Sequence, residues 1–139
     1  MKKKAQDLLL KYSLRKTSCR ISVLTLLMEH TYALAHADLE KHLGTDYDRV
    51  TLYRTLHAFK EQGLVHSITD LNGTIKYALC REACSMLKHQ HDHVHFSCTQ
   101  CGQTYCLDEV QLEPVNLPEG YLANEVQFSI QGICRLCNL

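Results

Sequence analysis

Residues 48–79 read DRVTLYRTLHAFKEQGLVHSITDLNGTIKYAL, and this stretch decides the fold of the first half of the chain. Its first part predicts a helix, because apolar residues recur at helical spacing at Leu52, Leu56 and Phe59. Asp48 is a suitable N-cap, since its carboxylate can accept a hydrogen bond from the first turn. Gly63 is placed to end the helix. The polar residues on the opposite side of this helix are not needed for the core and remain available for binding.

The second part of the same stretch predicts a β-hairpin. LVHSITD and TIKYALC have the composition of strands, and they stand on either side of Asn72-Gly73. An Asn-Gly pair between two such segments is a strong short-range hairpin signal. The hairpin therefore follows directly on the helix.

Two further helices are predicted upstream. RISVLTLLMEH carries Ile21, Leu24 and Met28 at helical spacing with Val23 and Leu27 beside them, and Thr17 or Ser18 can cap its start. HADLEKHLG is a shorter helix with two inward-facing leucines, and Gly44 ends it. Three helices followed by a hairpin predict a winged helix, a fold that places its third helix in the major groove of DNA.

Several residues of this half have side chains that suit contact with DNA. Arginine binds guanine or phosphate, threonine contacts the thymine methyl group, and tyrosine binds phosphate. The alternative is that these side chains form an ordinary solvated helix face. The predicted DNA-binding residues are Arg15, Thr17, Arg20, Arg49, Thr51, Tyr53 and Arg54.

Charge and cysteine divide the 139-residue chain near Tyr77. Residues 1–76 contain 12 Lys and Arg against 8 Asp and Glu, whereas residues 77–139 contain 3 against 7 and hold 7 of the 8 cysteines. The first half therefore suits an anionic partner, and the second collects thiols and imidazoles. Because no apolar run approaches the roughly 18–20 residues that span a bilayer, we expect a cytoplasmic protein that does not bind membranes.

The second half predicts a zinc site on a small sheet. HVHFSC, QTYCLDEV and EVQFSIQGIC alternate as strands do, which indicates a small α/β unit with a three-stranded sheet. Two CxxC pairs close one end, and four thiolates form a closed tetrahedral structural zinc site. Disulfides are the alternative, but cytosolic thiols stay reduced. The predicted structural zinc ligands are Cys98, Cys101, Cys134 and Cys137.

In their order and spacing, these segments resemble the ferric uptake regulator (Fur) family of metal-responsive repressors. LRKTSCR, RVTLYRTLHAF, HVHFSCTQCG and GICRLC each resemble a signature segment of that family. The resemblance implies an α+β fold, a homodimer, and repression of transcription on double-stranded operator DNA when a regulatory metal is bound. It divides the chain into a winged-helix DNA-binding domain (1–79), a hinge and metal loop (80–92), and a dimerisation and zinc-binding domain (93–139).

The regulatory site implied by the resemblance leans towards the zinc-sensing (Zur) branch. His93 and His95 alternate on a strand, so their imidazoles share one face. With His66 and Cys80 at the two ends of the wing, they match the pattern of that branch, and three nitrogens with one sulfur suit Zn²⁺. Further candidate ligands, which we do not rank, are His36, Cys84, His89, His91 and Cys106.

Departures from the family pattern also bear on the metal. Val94 stands where one accessory family site has an acidic residue, and no histidine stands near Val126, so that site is expected to be missing. Iron-sensing members carry an acid near Ala78 and a later glutamate, which is Cys106 here. A thiol in that place favours a softer metal than iron.

Other functions remain open at this level. An iron sensor binding Fe²⁺ or Mn²⁺, a peroxide sensor of the same family, and a metal-independent zinc-ribbon module share most of these features. A zinc enzyme would need an open coordination position and a base, for which His93, His95 and Cys106 with Asp108 or Glu109 are candidates. No HExxH or HxE…PCxxC motif is present, and we expect the chain not to be an enzyme.

Overall fold

The computed structural model describes residues 1–79, 94–107, 109, 110, 113, 115–124, 126 and 128–139. Its helices are α1 (Lys2–Lys11), α2 (Ser18–Glu29), α3 (His36–Leu43) and α4 (Arg49–Glu61). Its strands are β1 (Leu34–Ala35), β2 (Val65–Thr69), β3 (Ile75–Leu79), β4 (Val94–Cys98), β5 (Thr104–Leu107) and β6 (Phe128–Gly132). The predicted α+β class is confirmed, with a winged helix followed by a second three-stranded sheet.

Local capping sets the ends of the two longest helices of the winged helix. Thr17 precedes α2, and its hydroxyl accepts a hydrogen bond from the backbone N–H of Arg20 at 3.2 Å. Asp48 precedes α4, and its carboxylate accepts one from the N–H of Thr51 at 2.7 Å. These caps satisfy backbone donors that the first turn leaves open, so both helices begin where the sequence predicts.

The core of the winged helix lies between α2, α4 and the start of the wing. Helix α4 buries one face, as its spacing predicts, whereas the buried side of α2 is centred one residue away from the predicted stripe. Ile21 and Met28 are only half-buried, because Val23 and Leu27 take the central places beside Leu24. The side chains that are essentially inaccessible to solvent are Val23, Leu24, Leu39, Leu52, Leu56, Phe59, Leu64 and Val65.

Helix α1 was not among the three helices that the sequence predicts. Its sequence, KKKAQDLLLK, is mostly polar, and only Ala5 and Leu9 are fully buried. They pack on α2 in the same core, while the lysines stay exposed. Ser13 adopts a left-handed backbone (φ 58°) just beyond the helix, which turns the chain towards α2. Two buried side chains in ten residues are too weak a periodic signal to predict this helix.

The wing is the hairpin of β2 and β3, extended by the short strand β1 in the order β1-β3-β2. Thr69 pairs with Ile75, so the connection is longer than the two-residue Asn-Gly turn that the sequence predicts. The carboxylate of Asp70 closes it by accepting hydrogen bonds from the N–H groups of Asn72 and Thr74, both at 2.9 Å. Gly73 has φ +80°, a conformation that favours glycine.

The second sheet has the order β5-β4-β6, with β4 antiparallel to β5 and parallel to β6. The predicted three strands are present, although β5 and β6 are shorter than the alternating segments. The wing sheet contacts this sheet through the backbone of Ala33, whose N–H donates to the carbonyl of Thr104 at 2.7 Å. The rings of Tyr32 and Tyr105 meet edge to face beside it.

The three-part division of the chain stays a prediction, since the hinge 80–92 lies outside the described residues. Within the part that is described, no helix has the length and apolar character needed to cross a bilayer.

Replacing Leu9 by alanine should lower the free energy of unfolding by about 2–5 kcal/mol, because it opens a cavity between α1 and α2. Leu10→Ala is the matched control: Leu10 is 69% exposed, and the change should alter stability by no more than about 0.5 kcal/mol. Urea titration followed by circular dichroism measures both. Equal stabilities for the two variants would contradict the packing of α1 described here.

Candidate metal sites and DNA-facing helix

The exposed side of α4 carries the residues predicted to bind DNA. Arg49, Thr51, Tyr53 and Arg54 are all exposed, on the side opposite the buried leucines. The Arg49 side chain is 82% exposed, and Tyr53 is 59% exposed although it is a large aromatic residue. The first two turns of this helix therefore present guanidinium, hydroxyl and phenol groups to solvent.

The predicted DNA-binding residues before α2 are placed differently. Arg15 is exposed, but Thr17 is half-buried and serves as the helix cap. The guanidinium of Arg20 donates to the backbone carbonyl of Arg15 at 2.9 Å. Thr17 and Arg20 thus have structural contacts of their own, and Arg15 remains the most accessible of the three.

An acidic residue of α3 holds the first arginine of α4. Glu40 accepts from Nε of Arg49 at 3.3 Å, and its carboxylate lies 3.4 Å from Nδ1 of His36. The ring of His36 also lies 6.0 Å from that of Tyr53. His36, a candidate metal ligand from the sequence, belongs to neither of the metal-type clusters that the described residues form. Its position instead links α3 to the exposed face of α4.

The four cysteines of the CxxC pairs converge at one end of the second sheet. Their sulfurs all lie within 4.8 Å of one another, and Cys101 Sγ is 3.8 Å from Cys134 Sγ. Two thiolates on a tetrahedral zinc, each with a bond of about 2.3 Å, stand about 3.8 Å apart. Cys98 ends β4 and is almost fully buried. The sulfur spacing fits a four-coordinate metal site in which Cys98 and Cys134 are buried, Cys137 is half-buried and Cys101 is exposed.

The electrostatics of these thiols also fit a bound cation. Backbone N–H groups of Cys101 and Cys134 donate to the sulfur of Cys98 and lower its pKa to about 6. By contrast, the contact with Cys134, aided by burial, raises the pKa of Cys137 to about 12. The four sulfurs cannot all be ionised at neutral pH without a positive charge among them, and a bound divalent metal ion would supply that charge.

A second cluster lies between the two sheets. His66 Nε2 is 2.9 Å from Cys106 Sγ, and the rings of His66 and His95 stack with centroids 5.4 Å apart. The nearest ligand atoms of the three residues lie within 4.8 Å of one another. Both histidines are only 4% exposed. Two imidazoles and one thiol, gathered in a buried place, form a donor set suited to a transition metal.

Three strands bring this cluster together. His66 lies on β2 of the wing, whereas His95 and Cys106 are directly paired across β4 and β5. The cluster therefore joins the winged helix to the second sheet. Of the predicted regulatory ligands, His66 and His95 meet here. Cys80 and His93 lie outside the described residues, as do Cys84, His89, His91 and Asp108.

Cys106 is the member of this cluster that sequence reasoning did not rank. Its distance from His95 along the chain gives no hint of contact, because the pairing depends on the register of β4 against β5. Two signals were available: its place in the alternating segment QTYCLDEV, which puts it on one face of a strand, and the resemblance, which places it where iron-sensing members carry a glutamate. Only the register shows that this face meets His95.

Comparison with known proteins agrees with this architecture. A Ferric uptake regulation protein from Staphylococcus epidermidis is 30% identical over 131 residues, covering 89% of this chain and 87% of the relative. The protein of that name from Staphylococcus aureus is 30% identical over 99 residues, which cover 70% of this chain and 65% of the relative.

Solved structures share the fold at lower identity. A zinc uptake regulator complexed with zinc and DNA superposes with a TM-score of 0.67 at 22% identity, covering 98% of this chain and 91% of the other. The Vibrio cholerae ferric uptake regulator superposes with a TM-score of 0.60 at 20% identity, covering 92% and 98%. The sequence profile of the Ferric uptake regulator family matches residues 11–133. This chain belongs to the Ferric uptake regulator family.

Proposed function

We propose that this chain is a zinc-responsive transcriptional repressor that binds operator DNA as a homodimer. The observation that carries the proposal is the buried cluster of His66, His95 and Cys106, which joins the DNA-binding half to the second sheet. A metal held there ties the two halves together. Membership of the family supports a regulator rather than an enzyme.

DNA binding is assigned to the exposed face of α4. In a winged helix, the residues near the start of this helix meet base edges and phosphates. Arg49, Tyr53 and Arg54 have the exposure and the chemistry for those contacts. The excess of basic residues in the first half of the chain supports an anionic partner.

We assign structural zinc to the four cysteines of the CxxC pairs. A closed set of four thiolates leaves no position for a substrate, and such sites contribute folding energy directly. Cys98 ends β4 and Cys101 lies in the turn after it, while Cys134 and Cys137 follow β6. The metal would therefore fasten the two parallel strands of the sheet at one end.

We assign the regulatory zinc to His66, His95 and Cys106, with Cys80 and His93 as further proposed ligands. The structure supplies two nitrogens and one sulfur in the cluster, and this mixture suits Zn²⁺ better than the harder Fe²⁺ or Mn²⁺. When bound, the metal supplies a fixed link between β2 of the wing and the β4–β5 pair. Nε2 of His66 and the sulfur of Cys106, 2.9 Å apart, would separate slightly to make room for it.

Fixing this link controls operator binding through geometry. In a dimer, the orientation of each winged helix on its sheet sets the separation of the two recognition helices. Half-sites on DNA lie about 34 Å apart per turn, so both helices dock only at a matching separation. Without the metal, only a fraction of the molecules has that separation, and the apparent affinity for DNA is the intrinsic affinity multiplied by that fraction.

Cys106→Ser should retain the structural zinc and lose zinc-activated DNA binding. We expect about two zinc ions per unmodified chain and about one in this variant, measured by elemental analysis of protein purified without added metal. Binding is titrated at fixed free zinc against a duplex selected by the unmodified protein from a randomised pool. Cys98→Ser is the comparison variant, and it should lose the structural zinc and fail to fold or dimerise.

The outcomes for this pair separate the assignments. Full zinc activation in Cys106→Ser would remove that residue from the regulatory site. A well-folded, zinc-free dimer of Cys98→Ser would contradict the structural assignment. The same titration of unmodified protein with Fe²⁺ and Mn²⁺ tests the metal, and activation by Fe²⁺ without activation by zinc would make the protein an iron sensor.

Arg54→Ala should weaken binding to the selected duplex. The loss should be about 1–3 kcal/mol if Arg54 contacts a base, or the salt dependence should fall by about one ion if it contacts a phosphate. His57→Ala is the control, since His57 is an exposed residue further along the same helix. Affinity and salt dependence equal to those of the control would refute the role of Arg54.

Glu40→Gln should strengthen binding to duplex DNA of any sequence. The change releases the guanidinium of Arg49 from its carboxylate partner and removes a negative charge beside α4. One additional phosphate contact should make the logarithmic salt dependence steeper by about 0.9. Glu29→Gln is the control variant, because it makes the same change of charge at a position that is exposed. The gain should disappear in the Glu40→Gln/Arg49→Ala double variant; persistence there would show that Arg49 is not the group released.

A further inference from the structure

The lysine of the wing, Lys76, is buried and directed at the second sheet. It points at the four-cysteine knuckle, by which we mean Cys98, Cys101, Cys134 and Cys137 together with the turn 98–102. It is 8% exposed, which is unusual for a charged residue. Its ammonium donates to the backbone carbonyl of Gly102 at 2.8 Å and to the hydroxyl of Thr104 at 3.4 Å. The same group lies 3.3 Å from the carboxylate of Asp70. Lys76 therefore contacts both halves of the molecule at once.

At the wing end, this contact reaches the turn of the hairpin. Asp70 closes that turn through the N–H groups of Asn72 and Thr74, and its side chain is 9% exposed. Burial opposes ionisation of Asp70, but these two N–H donors and the Lys76 ammonium outweigh it and lower its pKa. The wing turn and Lys76 are thus held together by an ionised, buried pair.

At the other end, the contact reaches the residue that follows the first CxxC pair. The N–H of Gly102 donates to the carbonyl of Cys98 at 3.1 Å, and Gly102 has φ +77°. This tight turn sets the direction of the Gly102 carbonyl. The conformation of this turn depends on the positions of the Cys98 and Cys101 sulfurs. A change in the knuckle would therefore move the acceptor of Lys76.

The position of Lys76 within the wing sheet makes the contact stiff. Lys76 lies on the central strand β3, paired with Ala35 on β1 and Ile68 on β2. Beside it, the Ala33 N–H donates to Thr104, a residue with no exposed surface. A displacement of Gly102 or Thr104 is therefore transmitted to all three strands of the wing sheet.

We infer that Lys76 is a positioning residue that couples the orientation of the wing to the four-cysteine knuckle. A buried ammonium is costly when it loses its hydrogen-bond acceptors, so Lys76 selects the arrangement that keeps Gly102 and Thr104 within its reach. Here the selected arrangement is that of the winged helix on the second sheet. Zinc at the four cysteines then affects DNA recognition as well as folding, by a route separate from the His66 cluster. The inference rests on the proposed function only where DNA is the readout.

The DNA test compares spacing discrimination. The probes are the duplex selected by the unmodified protein and the same duplex with one extra base pair between its half-sites. Asp70→Asn/Lys76→Met removes both charges and leaves no uncompensated carboxylate, so it should fold, retain the structural zinc and dimerise. We expect it to bind the selected duplex about 5- to 150-fold more weakly, the usual range of a coupling between sites, and to distinguish the two duplexes poorly.

Two control variants isolate the contact between Lys76 and Gly102. Asp70→Asn keeps that contact and should retain the discrimination. Lys60→Met removes one exposed positive charge elsewhere and should weaken binding to both duplexes equally. If Asp70→Asn/Lys76→Met distinguishes the two duplexes as well as the unmodified protein does, the inference is overturned. If the unmodified chain selects no duplex at all, the proposed function fails instead.

Hydrogen exchange tests the coupling without DNA. In a Cys106→Ser background, zinc is held only by the four cysteines, and chelation should accelerate exchange of the amides of β3. With Asp70→Asn/Lys76→Met added, that exchange should already be fast and should respond little to chelation. If chelation affects β3 to the same extent in both proteins, Lys76 does not carry the coupling.

Discussion

The convergence of four cysteine sulfurs, which would repel one another if all were ionised, is the constraint on which the second half of the structure depends. Cys98 is readily ionised, and Cys137 holds its proton strongly beside the neighbouring sulfur. In the proposed zinc site, a bound cation would remove this conflict and fix the turn after Cys101. That turn leads to Gly102 and Thr104, which Lys76 and Ala33 of the first half contact. A metal at one end of the sheet would thereby hold part of the surface on which the winged helix rests.

A single contact does not define how one rigid body sits on another. A single contact leaves rotation about itself, whereas two contacts reduce that freedom to rotation about the line between them. In this chain, one contact is the His66–Cys106 pair and the other is the group around Lys76 and Thr104. Under the proposed function, a metal at the first contact would act on a joint that the second contact already restricts. Its binding energy would then have only a small remaining motion to oppose.

Local features of the fold could be predicted from the sequence because each depends on neighbouring residues. The Asp48 cap and the apolar face of α4 are of this kind, whereas the gathering of the two distant CxxC pairs was predicted from their spacing as a zinc motif. The contribution of Cys106 to the cluster could not be ranked, because it depends on strand register. Helix α1 is too polar to show a clear period. The contacts of Lys76 join residues far apart in the chain, and nothing in the local pattern around it marks a buried charge.

The parallel pairing of β4 with β6 has a consequence for the order in which the protein forms during synthesis. Residues 94–98 pair with residues 128–132, so β4 waits for a partner made much later. The wing hairpin, in contrast, pairs segments that leave the ribosome together. The DNA-binding half can therefore fold while the second sheet is still incomplete, and its cysteines remain open to thiol chemistry until Cys134 and Cys137 emerge. Newly made chains thus pass through a stage in which helix α4 is complete while only one of the two CxxC pairs has been made, and the proposed zinc site can form only after that stage.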